Sequence, residues 1–328
     1  MSKIYTDNIE SFLVSILFDK KKIHKKTFSK INYEKLVKFS SSHLMLPAIY
    51  SNLLKKNYIN YVPSDFMRYI KEIYRLNSER NKQLIDEINE ISERLKNKKI
   101  NHVFLKGAAN LFTNIYDQLG DRMIGDIDIL VKNNDVNQVY ELLKGMEYHT
   151  INAGNNLISD TKHIKKMVNE NKIFAVEIHR RLLDNRINKY INHSEFLEKK
   201  INCEGISVPS KNDQLVHNIY NHQINDKGNI ILSYSYRSLY DNYLIIKSLN
   251  QKNLKLPRTS IVENYFMIAG ELNIPILKDY ASKIRSLNLG RFRLKKNNKT
   301  YFKFEKTLIN LYLFFNLKFK QIGKLIGF

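Results

Sequence analysis

One cysteine, Cys203, is the only thiol in 328 residues. That excludes an intramolecular disulfide and any cysteine-cluster metal site, and leaves Cys203 as a small half-buried filler in a reducing compartment. No run of about 18 uninterrupted apolar residues occurs, which argues against a membrane span. The apolar stretch 9–18 is interrupted by Glu10 and lacks a small-residue cleavage site, so it is expected to be a helix rather than a targeting segment, in a cytoplasmic protein. No internal repeat is visible. Acids are also scarce: 32 Asp and Glu face 54 Lys and Arg, a formal net charge of +22. Such an excess attracts polyanions, so nucleotides, RNA or an anionic surface are the expected partners. The chain is also rich in Asn, Ile and Tyr, and a lysine-rich, AT-biased proteome is the compositional alternative.

What is present has the pattern of a folded chain, 43% hydrophobic and long enough for one large domain or two to three small ones. Residues 1–97 read as helical: 8–18, 33–54, and a run of about thirty residues that starts at Pro63-Ser64-Asp65, with Phe66, Ile70, Ile73, Leu84, Ile88, Ile91 and Leu95 at helical spacing. Residues 98–210 change texture, to strand 100–105, helix 108–116, strand 127–131, helix 134–146 and strand 174–179. Residues 211–328 return to helix (213–223, 238–249, 260–272, 276–287). They end in a tail, 285–328, with eleven Lys or Arg and one acid, Glu305, among several Phe and Tyr. The expected class is α+β: a small mixed sheet with helices, flanked by helical regions on both sides.

Asp126 and Asp128 are two apart, so on a strand both carboxylates leave one face while Ile127, Ile129 and Val131 point into the core. Two carboxylates on one face can bridge a divalent cation, and Mg²⁺ favours a few carboxylates plus phosphate oxygens over a closed protein cage. Asp-x-Asp also occurs as surface decoration, and its context decides. Glu177 sits between Val176 and Ile178 on a second apolar strand. If the two strands pair, three carboxylates converge and repel unless a cation neutralises them. A salt bridge to Arg180 or Arg181 is the other use of Glu177. Lys106-Gly107 ends one strand and opens a helix, where free N–H groups favour a triphosphate; Lys-Gly is also a common turn.

This order, phosphate turn, then Asp-x-Asp, then a lone acid, suits transfer of a nucleotide by in-line attack at the α-phosphorus with loss of pyrophosphate. Asp126 and Asp128 would bind metal; Glu177 would complete the site and help deprotonate the acceptor. Arg122 either contacts a phosphate oxygen, neutralises the acids, or makes a surface salt bridge with Asp121 or Asp117. His179 shares a strand face with Glu177 and is a metal ligand, an acceptor-orienting group or a structural histidine.

The segments Phe104-Leu105-Lys106-Gly107-Ala108-Ala109, Arg122-Met123-Ile124-Gly125-Asp126-Ile127-Asp128-Ile129-Leu130-Val131 and Val176-Glu177-Ile178-His179-Arg180-Arg181-Leu182 resemble the nucleotidyltransferase superfamily that includes DNA polymerase beta. They are most similar to its bacterial branch of uncharacterised nucleotidyltransferase family proteins. His43-Leu44-Met45-Leu46-Pro47, His163, and Arg237 to Asp241 also look like positions of that branch. The resemblance covers roughly residues 8 to 245 and leaves the tail unmatched.

It implies a polymerase beta-like core and an EC 2.7.7-type transferase that uses an NTP with Mg²⁺ or Mn²⁺. Metal ligation is implied at Asp126, Asp128 and Glu177, nucleotide contacts at Lys106, Gly107, Arg122 and Gly125, and acceptor or supporting roles at His179 and His163. One departure is Ala108, where the wider superfamily has a serine after the turn glycine. The basic surface points to RNA or tRNA as acceptor. A non-catalytic nucleotide- or RNA-binding module, and a toxin or defence effector acting on RNA or protein, are the alternatives. For the tail, the choice is a docked helix or a basic amphipathic helix on an anionic membrane or a partner.

Overall fold

The structure, a computed structural model, describes residues 3–18, 22–151, 164, 166–183, 190–249, 254–275, 288–298, 300–305, 307–309 and 311. His163, the expected helix 276–287 and most of the tail lie outside the described residues.

Five helices come first: α1 (Lys3–Leu17), α2 (Lys25–Phe28), α3 (Tyr33–Ser42), α4 (Leu46–Lys55) and α5 (Ser64–Asn97). The expected single run 33–54 is two helices. Leu44 takes φ +58°, a conformation a helix cannot continue through, and Pro47 restarts the chain in the first turn of α4. In α5, Phe66, Ile70, Leu84, Ile88, Ile91 and Leu95 bury one face. Asp65 in its first turn and Arg94 and Lys96 in its last suit the helix dipole.

The central part runs β1 (His102–Phe104), α6 (Lys106–Phe112), β2 (Asp126–Val131), α7 (Val136–Lys144), β3 (His149–Thr150), β4 (Met167–Val168) and β5 (Ala175–His179). After it come α8 (His193–Glu198), the hairpin β6 (Ile201–Cys203) and β7 (Ile206–Val208), α9 (Lys211–Tyr220), α10 (Gly228–Ile231), α11 (Tyr236–Ser248) and α12 (Ser260–Glu271). A further helix is Asn288–Asn297, and the described residues from 300 to 311 are helical as well. Strands β3, β4, β6 and β7 carry no alternation long enough to read from sequence, being two or three residues each. Among the described residues, no helix is long and apolar enough to cross a membrane.

The five-stranded sheet has the order β1-β2-β5-β4-β3. Only β2 and β5 run parallel; the other neighbours are antiparallel, so the sheet is mixed and the class is α+β as expected. The strands separate two hydrophobic clusters. Phe104, Ile127, Ile129, Val131, Val176 and Ile178 pack with α7 and the later half of α5. Val103, Leu105 and Leu130 face the other way, into a cluster shared with α1, α4, α9, α11 and α12. Long α5 reaches both, with Phe66 and Ile70 in one cluster and Leu84 to Leu95 in the other.

Candidate active site

The pairing of β2 with β5 sets Asp128 opposite Glu177, and Leu130 opposite His179. Paired residues share a face and each strand alternates, so Asp126, Asp128, Glu177 and His179 all leave the sheet on the side of Leu130. His179 Nε2 lies 2.7 Å from Asp128 Oδ1 and 3.6 Å from Glu177 Oε2. One ligand atom each of Asp128, Glu177 and His179 falls within 4.8 Å of the others, an arrangement with the donors to hold a metal ion. Asp128 and His179 are buried, while Glu177 and Asp126 are progressively more open, at 14% and 31% side-chain exposure.

Two lysines enter this acidic face. Leu105 N donates to Asp128 O at 2.9 Å, carrying the β1–β2 ladder one step past β1, and Lys106 then turns at φ +51° to pair with Asp128 Oδ1. A left-handed lysine costs about 1 kcal/mol. On the other side, pairing of Met167 with Val176 brings Lys166 alongside Glu177. Its ammonium stands 3.0 Å from Asp126 Oδ2 and 3.4 Å from Glu177 Oε1.

Burial opposes the charge on Asp128, yet the Lys106 ammonium and the His179 imidazole outweigh it and hold the carboxyl far below the usual carboxylate range. Burial likewise opposes the charge on Lys106, and Asp128, Glu177 and Asp126 reverse that and push its pKa up. Lys166 is raised for the same reason, by Asp126 and Glu177 against burial. Asp128, Lys106 and Lys166 therefore stay charged at neutral pH.

Arg122 does not make the surface salt bridge with Asp121 or Asp117. Its partner is Asp241 on α11, through a two-pronged contact, Nε to Oδ1 at 3.0 Å and Nη2 to Oδ2 at 2.8 Å. Tyr116 donates its phenol to the same carboxylate. Asp117 pairs with Lys55 instead. A Cβ at Gly107 would meet Arg122 Nη1 at 2.5 Å and Ile124 Cγ1 at 2.9 Å, so this glycine is required by close approach. At Gly125 a Cβ would meet nothing within 4 Å; open space lies beside Asp126.

Sequence reasoning missed Lys166, Asn77 and Asn81. The two asparagines lie in the apolar stripe of α5 and are buried. Asn77 donates to the carbonyls of Gly120 (2.8 Å) and Arg122 (3.0 Å), and Asn81 to those of Leu119 (2.6 Å) and Arg122 (2.9 Å), which fixes the loop bearing Arg122. Two amides spaced i, i+4 inside an apolar stripe were the available signal. For Lys166 it was the turn at 169–172, closed by Lys172 N to Asn169 O, whose hairpin register places Lys166 across from Glu177.

A cavity of about 740 Å³ between α4, α5 and α11 is lined by Tyr50, Tyr74, Asp121, Tyr240 and Lys247 among others, and none of the four acidic-face residues borders it. A family model described as uncharacterised nucleotidyltransferase matches residues 29–256, a span that contains every site residue above. No curated protein matches the chain.

Proposed function

Because the chain belongs to the uncharacterised nucleotidyltransferase family, we propose that it moves an NMP from an NTP to an acceptor hydroxyl and releases pyrophosphate. The observation that carries this is the β2–β5 register, which gathers Asp128, Glu177 and His179 on one face with Asp126 beside them. The donor set suits a divalent ion: hard carboxylate oxygens and one imidazole, in a cluster so acidic that two lysines are drawn into it. Asp126, Asp128 and Glu177, with His179 beside them, would hold Mg²⁺ or Mn²⁺. When bound, the cation supplies positive charge against the phosphate oxygens as the transfer proceeds.

The chain's own groups do the rest. Glu177, more open than Asp128, is placed to take the proton of the acceptor hydroxyl. His179 keeps the buried Asp128 oriented through its 2.7 Å contact. Lys106, Gly107, Arg122 and Gly125 stand on the side where we place the triphosphate, and the open space at Gly125 leaves room for it. The acceptor we favour is RNA, tRNA included, on the strength of the +22 charge.

A non-catalytic nucleotide-binding module is favoured by one observation: Lys106 and Lys166 offset two of the three carboxylate charges from within the chain. Incubation with each α-³²P-labelled NTP, Mg²⁺ or Mn²⁺ and total cellular RNA separates the two readings. The control is Asp126→Asn, because Asp128 is buried and its amide would leave Lys106 without its partner, costing about 3 kcal/mol of stability as well as charge. Label on RNA, protein or a small molecule with the wild type, reduced about a hundredfold or more in the variant, is the expected result. Nucleotide binding with no label on any class supports the binding module.

A further inference from the structure

Arg122 and Arg237 converge on one backbone oxygen: Met123 O accepts from Nη1 of each, at 3.4 and 3.5 Å. Two guanidinium groups thus meet beside a single carboxylate, Asp241. On α11, Asp241 follows Arg237 by four residues, the spacing at which the two would ordinarily pair. Asp241 is instead gripped by both prongs of Arg122 and by the phenol of Tyr116. Among the described residues Arg237 has no acid partner, only the long bond to Met123 O.

An arginine carries five donors and cannot shed its charge in a protein, so a partly buried one without an anion is costly to keep. Burial and the like charge of Arg122 both pull the Arg237 pKa down, against smaller opposing pulls from Asp241, Tyr116 and Asp126. The place is specific. Met123 begins the three residues that lead through Gly125 to Asp126, and Arg122 Nη1 packs directly over Gly107 of the Lys106-Gly107 turn. The surplus positive charge therefore borders both the acids and the turn.

We propose that Arg237 grips the phosphate chain of the nucleotide, and that Arg122, for which the motif implies that contact, serves instead as the strut that occupies Asp241 and so keeps Arg237 available. This rests on the nucleotidyltransferase reading and adds to it a named triphosphate contact from α11, outside the sheet. A planar fork suits a phosphate oxygen pair, which a lysine point charge does not reproduce.

The test is calorimetric titration of the full chain, with Mg²⁺ present, using ATP, GTP, CTP, UTP, inorganic tripolyphosphate and the four NMPs in turn. Wild type, Arg237→Gln and Arg237→Lys are compared, with melting curves to show that each is folded. Loss of one charge-assisted contact predicts roughly ten- to hundredfold weaker binding of the preferred NTP and of tripolyphosphate by Arg237→Gln, with NMP binding unchanged. Arg237→Lys, which keeps the charge and is the variant least prone to misfold, is expected to fall in between. Melting temperature should not drop in Arg237→Gln, since no ion pair is lost. Tight binding of an NTP by all three proteins alike overturns the role of Arg237 and leaves the proposed reaction standing. A wild type that binds no NTP and no tripolyphosphate overturns both.

Discussion

Two buried aspartates show how position sets the sign of a pH effect. Asp128 is held ionised by Lys106 and His179 despite its burial, so its folded pKa is depressed. Its contribution to stability is present above the ordinary carboxylate value near 4 and is lost as pH falls below it. Asp121 is the opposite case. Burial outweighs the help of Ser51 and the Gln118 amide and pushes its carboxyl up to about 6. A raised acid holds its proton more tightly when folded, so stability declines as pH rises from about 4 to 6. Asp121→Asn, which keeps an oxygen for the Gln118 N–H, is expected to remove that decline and to stabilise the protein at pH 7 by on the order of 2 kcal/mol. Urea melts of both proteins at pH 4.5 and 7 check it; equal stability differences at the two pH values would show that Asp121 does not titrate as described.

At the level of elements, the site is the meeting of two strands and one turn, held by a helix that supplies none of its charges. α5 clamps the loop 119–122 through Asn77 and Asn81, and that loop delivers Arg122 to Asp241 and packs it over Gly107. The two glycines of the motif therefore have different tasks. Gly107→Ala forces a methyl into Arg122 and Ile124 and is expected to cost about 1–3 kcal/mol and to disturb the Arg122–Asp241 pair. Gly125→Ala meets nothing and should leave the melting temperature within a degree or two of wild type, on the order of 0.5 kcal/mol or less, whatever it does to nucleotide affinity. Thermal melts of the two variants side by side decide this, and equal loss in both would remove the distinction.

For the whole molecule, the acidic face is a small negative island on a chain of net charge +22, with lysines drawn into it. If the excess serves to bind RNA, affinity should fall steeply with salt as counterions are released, by about a thousandfold between 50 and 200 mM for some six phosphate contacts. Filter binding of total tRNA across that range measures the slope. A flat or absent response would leave the basic composition as a property of the proteome.

The sequence by itself determined the strand bearing Ile127, Ile129 and Val131, because alternation is a local property. It also determined the long α5, whose apolar spacing persists over many turns, and the identity of the acids at Asp126, Asp128 and Glu177. Family membership was legible for the same reason: its motifs are contiguous. Only the tertiary structure decided which charges meet. The pairing of Asp128 with Glu177, the arrival of Lys166 through a two-residue strand, and the capture of Asp241 by Arg122 across 119 residues all depend on register and packing. Ion pairs of that kind leave no periodic trace along the chain, since an arginine's partner is fixed by where the backbone brings it in space.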